Sequence, residues 1–197
     1  RIGYISGKLL QDHVVKAEIL LHGSFATTGI GHGTDKALIA GLLGMRPDDI
    51  RIPDSFFLAK KDGMEFSFST ITLKDAHPNT AVLRLTGEHG RKIEVQAASI
   101  GGGRILIAKL DGIEVNFSAE KPTLIVHNVD QPGHVAQVTS MLAEKQVNIA
   151  TLQLYRDKRG GYAVMVIETD QEVPEESVAW LEQLDGIIKV TYINLEE

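Results

Sequence analysis

The spacing of apolar residues after residue 121 alternates between strand-like and helix-like patterns. Four short apolar runs are typical of strands: 123–127, 148–156, 162–168 and 187–193. Between the first and second runs, Val135, Val138 and Leu142 recur at helical spacing and predict one buried stripe. A second helix is predicted between the third and fourth runs. The order βαββαβ in so short a segment is typical of a ferredoxin-like fold.

The first 118 residues have a less regular pattern. The elements predicted before residue 62 are a helix at 2–10, a buried strand at 14–21, a small-residue loop at 23–33, a helix from 34 to 44 and a short helix at 51–61. Thr34 and Asp35 are the expected caps of the helix that ends at Gly44. Residues 64–117 read as an antiparallel meander of strands joined by turns.

Together these patterns predict an α+β protein with two domains. An N-terminal α/β domain with an antiparallel meander is expected over residues 1–118. A ferredoxin-like βαββαβ domain is expected over residues 122–197. The boundary is placed where the glycine-punctuated pattern gives way to the regular one.

Composition and charge argue against several classes of function. The 20 Lys and Arg residues are outnumbered by 26 Asp and Glu, and the formal charge of −6 disfavours a nucleic-acid partner. No apolar run approaches the ~20 residues of a membrane span, which predicts a soluble, cytoplasmic chain without a membrane partner. The absence of cysteine excludes disulfides and any cysteine-ligated metal in this chain. The histidines show no metal-ligand spacing, so no metal site is predicted here. The chain starts at Arg1, and we expect an N-terminal segment to be missing or removed.

The segment 29–35, Gly-Ile-Gly-His-Gly-Thr-Asp, is the first candidate site. It lies between a predicted strand and a helix start, where glycines let a ligand approach the backbone and free N–H groups favour a carboxylate or phosphate. His32 can hold or transfer a proton near neutral pH. The spacing matches neither the P-loop nor the dinucleotide fingerprint. The alternative is a tight strand–helix connection that Thr34 or Asp35 caps.

The segment 99–104, Ser-Ile-Gly-Gly-Gly-Arg, is the second candidate. Three successive glycines, Gly101 to Gly103, could form a backbone nest for an anion beside Arg104. A β-bulge or a close packing contact explains the same glycines without a ligand, and this simpler interpretation is favoured.

The segment 128–134, Asn-Val-Asp-Gln-Pro-Gly-His, is the third candidate. Asp130 or Gln131 is the expected helix cap, with Pro132 in the first turn. A small amino acid could place its carboxylate on the N–H groups of this helix start and its amine on Asp130 or Asn128. The alternative is a plain cap without a ligand.

These segments carry a resemblance to two known families. Residues 122–197, with the motif at 128–133, resemble an ACT domain, a small amino-acid-sensing module. Residues 1–118 resemble the beta domain of bacterial iron–sulfur-dependent L-serine dehydratase. The matching stretches are 1–3, 22–35, 77–80 and 99–103. The domain order is similar to that of the separate beta chain in the two-subunit form of that enzyme.

The resemblance implies deamination of L-serine to pyruvate and ammonia. It implies a [4Fe–4S] cluster held by the cysteines of a separate alpha chain, and a homodimer formed through the ACT or beta domains. His32 is the residue of this chain that the resemblance places nearest the chemistry. The implied substrate or anion ligands are Ser24, Gly31, Gly33, Thr34, Asp35, Gly101, Gly102 and Gly103. The implied effector ligands are Asn128, Asp130, Gly133 and His134.

A second hypothesis comes from a different class of function. The same pair of domains resembles the regulatory end of some D-3-phosphoglycerate dehydrogenases, which implies a non-catalytic module that senses serine or an anionic metabolite. A dehydratase beta chain needs a cysteine-bearing alpha chain, whereas a regulatory module needs none. The dehydratase family also carries a Ser-Ser-Ser-His-Thr-type motif ahead of its Arg-Ile-Gly, and this sequence starts after that point. If that motif contributes to the active site, we expect activity to depend on it.

Overall fold

The computed structural model describes residues 1–195, apart from the side chain of Ile30. The chain divides into two compact units, Arg1–Ser118 and Ala119–Glu197. Helices and sheets are mixed in the chain, which confirms the predicted α+β class. Among the described residues, no helix is long and apolar enough to cross a membrane.

The first unit is built on one six-stranded sheet. Its helices are α1 Ile2–Leu10, α2 Ser24–Thr27, α3 Thr34–Leu42 and α4 Ser55–Lys61, with single 3₁₀ turns at Ile30–His32 and Ile52–Asp54. Its strands are β1 Val14–Leu21, β2 Glu65–Thr70, β3 Thr80–Gly87, β4 Lys92–Gly101, β5 Arg104–Leu110 and β6 Ile113–Phe117. The strand order is β2-β1-β3-β4-β5-β6.

The predicted meander is wrong at its first strand. β2 does not neighbour β3 but pairs with β1, in parallel. The helices α2 to α4 connect β1 to β2, and a crossover of this kind is what a parallel pair requires. The remaining pairs of this sheet are antiparallel, as predicted.

Two helices of the first unit pack with their backbones in close approach. A Cβ atom on Gly3 of α1 would lie 2.1 Å from the carbonyl oxygen of Leu38 in α3. A Cβ atom on Gly41 of α3 would lie 2.5 Å from the backbone nitrogen of Tyr4. Only glycine fits at these two positions, so this crossing holds the N-terminal end of α1 against the C-terminal half of α3.

The second unit has the predicted ferredoxin-like order. Its elements are β7 Thr123–Val129, α5 His134–Glu144, β8 Ile149–Arg156, β9 Tyr162–Thr169, α6 Glu175–Glu182 and β10 Ile187–Ile193. The sheet is antiparallel with the order β10-β7-β9-β8. Its core includes the fully buried Leu124, Val126, Val138, Leu142, Met165 and Leu181.

The starts of the helices differ from the predictions. Neither Thr34 nor Asp35 caps α3, because Gly33 occupies the cap position with a left-handed φ of 73°. In the same way Gly133, with a φ of 105°, caps α5, so Pro132 precedes the helix and Asp130 does not cap it. The loop predicted at 23–33 contains α2 and a 3₁₀ turn. Glycine at both caps provides a backbone conformation that other residues rarely adopt.

The stripe predicted on α5 is partly wrong. Val138 and Leu142 are buried as expected, but Val135 exposes 38% of its surface. Met141, which exposes 5%, completes the buried face instead. Residues at i, i+3 and i+4 share one face of a helix, so 138, 141 and 142 form the continuous stripe and 135 lies at its border.

Candidate functional site

A cavity of about 330 Å³ opens in the first unit where the starts of α1 and α3 meet the turn between β4 and β5. Its walls include Phe25, His32, Gly33, Thr34, Ser99 and Gly103. The cavity therefore brings together two stretches that are far apart in sequence, the glycine–histidine segment and the triple glycine. His32 is solvent-exposed at this cavity. An exposed imidazole beside a concave surface can reach a ligand or a docked protein chain.

The start of α3 already uses part of its own hydrogen-bonding capacity. The N–H of Thr34 donates to the carbonyl of Gly29 at 2.9 Å. The N–H of Lys36 donates to the carboxylate of Asp35 at 2.8 Å. Two of the first three amides of the helix are thus engaged, and one of them faces a resident negative charge. An anion gains less at this helix start than at one with open amides.

The triple glycine has a backbone explanation. Gly101, Gly102 and Gly103 have φ values of 91°, 61° and 73°. Gly101 pairs with Arg104 across the hairpin, so Gly102 and Gly103 are the two central residues of a tight turn. A two-residue hairpin turn with positive φ at both central positions favours glycine strongly. The register shift between Ser99 and Gly101 adds a bulge beside the turn.

The loop at 77–80 connects the two stretches that line the cavity. The N–H of Ser24 donates to the carbonyl of Pro78 at 2.8 Å, and the N–H of Ser99 donates to the carbonyl of Asn79 at 2.9 Å. A Cβ atom on Gly23 would lie 2.5 Å from the carbonyl oxygen of Pro78, so this contact requires glycine. The His77 ring caps its own turn, because its Nδ1 accepts the N–H of Asn79 at 3.1 Å.

The structure brings together four of the residues expected at this site. His32, Gly33, Thr34 and Gly103 line the cavity. The other residues expected there, Ser24, Gly31, Asp35, Gly101 and Gly102, are not among its lining residues. Phe25 lines the cavity without having been singled out, and Ser99, which lines it as well, was named only as part of the second candidate segment and not as a ligand. Only the fold reveals that Ser99, His32 and Thr34 line the same cavity.

The turn between β7 and α5, the third candidate site, is held to the β8–β9 hairpin by a carboxylate. The Asp130 carboxylate accepts the N–H of Gly160 at 2.9 Å and a guanidinium N–H of Arg156 at 3.2 Å. These donors, first the Gly160 amide and then Arg156, hold the pKa of Asp130 below its usual value. Asp130 thus ties this turn to the β8–β9 hairpin. The amine of a ligand would have to compete with these bonds for the carboxylate.

Two polar atoms beside this turn are buried without a hydrogen-bond partner among the described residues. They are Oδ1 of Asn128 and Nε2 of His134. His134 is only 7% exposed, and its Nδ1 lies 3.2 Å from Oε1 of Gln137. The Asn128 amide nitrogen donates to the carbonyl of Val129 at 2.7 Å. A buried polar atom without a partner is costly, so such atoms often mark the place of a water or a ligand.

The described part of the chain offers no set of ligands for a metal. It contains no group of three or more His, Cys, Asp or Glu side chains placed to hold a metal ion. The full sequence contains no cysteine. The residues of this chain therefore do not fit an iron–sulfur cluster, which is normally held by cysteine thiolates.

Comparison with known proteins finds a matching family for each of the two units. The family model for the serine dehydratase beta chain matches residues 4–59, and the model for the ACT domain matches residues 122–186. The L-serine dehydratase beta chain of Peptoniphilus asaccharolyticus is 35% identical over 89% of this chain and 79% of its own length. The probable L-serine dehydratase beta chain of Bacillus subtilis is 35% identical over 98% of this chain and 87% of its own length.

These similarities define the class of the protein as a two-part chain with an ACT domain at its C-terminal side. The chain belongs to the family of L-serine dehydratase beta chains. A second group of relatives consists of longer proteins. The D-3-phosphoglycerate dehydrogenase of Methanocaldococcus jannaschii is 28% identical over 98% of this chain but only 36% of its own length.

Proposed function

We propose that this chain is the beta subunit of an L-serine dehydratase that converts L-serine to pyruvate and ammonia together with a separate alpha chain. The cavity that His32, Thr34 and Ser99 line together is the observation that carries the proposal. It combines an imidazole, two hydroxyl side chains and glycine backbone in a space of about 330 Å³, within the range of small-molecule sites. The names of the two L-serine dehydratase beta chains described above support the same reaction.

The [4Fe–4S] cluster of the proposed enzyme belongs to the alpha chain, because this chain has no cysteine to hold it. The contribution of this chain is limited to binding the substrate and handling protons. Deamination removes the α-proton and the hydroxyl group of serine, and the enamine left behind tautomerises and hydrolyses to pyruvate and ammonia. His32 is the group we assign to hold or transfer a proton or to orient the substrate. The Thr34 and Ser99 hydroxyls can orient polar groups of the substrate.

Substitution of His32 tests this assignment in the complex with the alpha chain, prepared without oxygen. We expect His32→Ala to lower the rate of pyruvate formation by ~100-fold or more, as is typical when a proton-transfer group is lost. His13→Ala is the matched control, because His13 is a half-exposed histidine of the same unit that pairs with Asp62 at 3.1 Å and does not line the cavity. Unchanged turnover by His32→Ala, with intact assembly, would remove His32 from the mechanism.

We also propose that an amino acid acts as an effector at the turn between β7 and α5. The unpartnered Oδ1 of Asn128 supports this site, together with the amides that precede the first helical bond of α5, from Gln137 to Gly133. Asn128 is preferred to Asp130 as the partner of the ligand amine, since Asp130 already accepts bonds from Gly160 and Arg156. The effector carboxylate would then face the glycine-capped helix start.

A second candidate function is a sensing module without catalysis. The dehydrogenase relative favours it, because that enzyme matches almost the whole of this chain with about a third of its own length. Calorimetric titration of the chain with L-serine, in the absence and presence of the alpha chain, separates the two functions. Binding of L-serine by the chain alone, with no complex and no pyruvate on addition of the alpha chain, would support the sensing module.

A further inference from the structure

One outer strand of the six-stranded sheet has a free edge that lacks the usual features protecting such an edge from pairing. β2 lies at the end of the sheet and pairs only with β1. Its sequence, Glu-Phe-Ser-Phe-Ser-Thr, contains no lysine or proline, and its register with β1 has no bulge. Lysine, proline and bulges are the features by which proteins normally protect an exposed edge from pairing with another strand. The opposite edge, β6, is shorter and has an irregular register with β5.

The hydrogen bonds of β1 show which groups of β2 point outward. The N–H of Ile71 donates to the carbonyl of Leu21 at 3.0 Å, and Leu21 lies opposite Thr70. In a parallel pair this places the N–H and C=O groups of odd-numbered residues towards β1. The backbone groups of Phe66, Phe68 and Thr70 therefore point away from the sheet. They form a row of donors and acceptors that only another extended strand satisfies in full.

The two faces of β2 differ sharply. Phe66 and Phe68 lie beside the buried Ala17 and Ile19 of β1, and both rings contact Phe56 of α4 with centroid distances of 5.0 and 6.0 Å. Glu65, Ser67 and Ser69 are exposed and point to the other face. The apolar layer thus extends to the last strand and remains half-open there. Phe57, the neighbour of Phe56 on α4, exposes 69% of its surface.

We propose that β2 pairs antiparallel with β2 of a second copy of this chain, about a two-fold axis at Ser67. The sequence is self-complementary in this register. Phe66 lies opposite Phe68 of the second copy, Glu65 lies opposite Ser69, and Ser67 lies opposite itself. Residues opposite each other in an antiparallel pair share a face, so the aromatic residues meet on one face and the hydroxyl groups on the other.

The backbone fits the same register. Phe66 and Phe68 both direct their N–H and C=O groups outward, so each forms a hydrogen-bonded pair across the axis. Ser67 then forms the closely spaced pair without hydrogen bonds, in which the Cα atoms lie ~4.5 Å apart. The two Glu65 carboxylates stay apart, because each faces a serine. A two-fold contact of this kind uses the same edge of both copies, so neither β2 edge remains open for further addition. This inference is independent of the reaction proposed above, and it names a surface for the homodimer expected from the sequence.

A cysteine placed at the axis tests the register directly, because the natural chain has no cysteine. Ser67→Cys should form a disulfide between two copies of the full chain under mild oxidation, since a Cα separation of ~4.5 Å lies within the disulfide range. Ser69→Cys is the matched control on the same exposed face. In the proposed register the two Ser69 positions lie about 13 Å apart, four strand positions at ~3.3 Å each, and should not form a disulfide.

A charge swap at the axis provides the second test. Ser67→Lys and Ser67→Asp should each weaken self-association of the full chain by about fivefold or more in sedimentation equilibrium, because like charges then lie opposite each other. An equimolar mixture of the two variants should restore association, and the effect should shrink in high salt. Ser69→Lys should not weaken association, because it faces Glu65.

The proposal is overturned if Ser67→Cys cross-links no more than Ser69→Cys, or if Ser67→Lys and Ser67→Asp associate as strongly as the natural chain. It is also overturned if the chain is monomeric alone and Ser67→Lys instead prevents binding of the alpha chain. That result would assign the edge to a different protein. Neither test depends on pyruvate formation, so failure here leaves the proposed reaction untouched.

Discussion

The starts of α3 and α5 share a glycine with positive φ and differ in their electrostatics. Each helix is capped by a glycine with positive φ, Gly33 at 73° and Gly133 at 105°, and neither has a side-chain cap. The first turn of α3 contains Asp35, whose carboxylate binds the next amide, whereas the first turn of α5 contains no acidic residue.

This difference separates two roles that the glycines alone do not distinguish. At α3 the resident carboxylate offsets the positive end of the helix dipole, and the ligand-facing groups are an imidazole and hydroxyls. At α5 the dipole is uncompensated and two buried polar atoms lack partners. The first arrangement suits substrate orientation and proton handling, and the second suits capture of a carboxylate.

The largest expected effect comes from breaking the close crossing of α1 and α3, whose residues Gly3 and Leu38 also line the cavity. Gly3→Ala places a Cβ atom 2.1 Å from the Leu38 carbonyl oxygen, so α1 and α3 must move apart. We expect a loss of about 1–3 kcal/mol in the free energy of unfolding, measured by urea denaturation. Gly7→Ala is the control in the same helix. Its Cβ would meet Leu42 at an ordinary 3.7 Å, so the better helix former should stabilise by up to ~1 kcal/mol. Equal effects of the two substitutions would contradict the close crossing.

The second prediction concerns the effector site at α5. Asn128→Ala should weaken binding of an amino-acid effector by about 10–100-fold, the usual effect of losing a hydrogen bond to a charged group. The binding can be measured from NMR shifts of the α5 amides during titration with L-serine, which separates this site from the cavity in the first unit. The same substitution should leave turnover at low effector concentration unchanged, because the α3 cavity lies in the other unit. Asn148→Ala serves as a control, since that exposed amide contacts Asp170 at 2.7 Å and lies away from the turn.

The third prediction removes the charge difference between the two helix starts. Asp35→Asn should cost about 0.3–1 kcal/mol of stability, because a favourable charge leaves the first turn of α3. It should also increase affinity for inorganic phosphate at α3, detectable by NMR shifts of the α3 amides. No change in phosphate affinity would show that Asp35 does not control anion binding there.

The smallest expected effect concerns a pH-sensitive contact in the first unit. Asp12 accepts the Nδ1–H of His89 at 2.8 Å and the backbone N–H groups of His89 and His13. The pair raises the pKa of His89 and lowers that of Asp12, chiefly through their side-chain hydrogen bond. The His89 contribution is complete below its unfolded pKa of about 6.5 and is lost as pH rises through the raised value. The Asp12 contribution is present above about pH 4 and is lost on acidification.

Stability of the chain should therefore fall slightly from pH 6 towards pH 8, and His89→Gln should flatten this slope in denaturation measurements. Arg156→Gln is the comparison in the second unit. It removes a donor to Asp130, whose lowered pKa matters only at acidic pH, so the slope near neutrality should persist. A slope that survives His89→Gln would assign it to another group.

The sequence patterns predicted local elements well and long-range pairing less well. The strands and helices of the second unit follow from apolar spacing, because the hydrophobic period of each element is visible within its own segment. The place of β2 beside β1 could not be read from a meander pattern, since the pairing is set by a crossover of three helices. The predicted helix caps were wrong because Thr34 and Asp130 are good caps in isolation, yet Gly33 and Gly133 take the cap positions.

The candidate site was predictable only in part for a similar reason. The glycine–histidine segment and the triple glycine stand out in the sequence, but which side chains line one cavity depends on the turn at 77–80. The engagement of Asp130 by Gly160 depends on a hairpin about thirty residues further along the chain. Neither contact can be predicted from the spacing of residues within one segment.

The most direct test of the central proposal is reconstitution of the chain with a separately purified cysteine-bearing alpha chain under anaerobic conditions. Pyruvate formation from L-serine should be absent with either chain alone and should rise with added beta chain until the two are equimolar. Full activity of the alpha chain alone, or pyruvate formation that does not change when the beta chain is added, would contradict the proposed role of this chain.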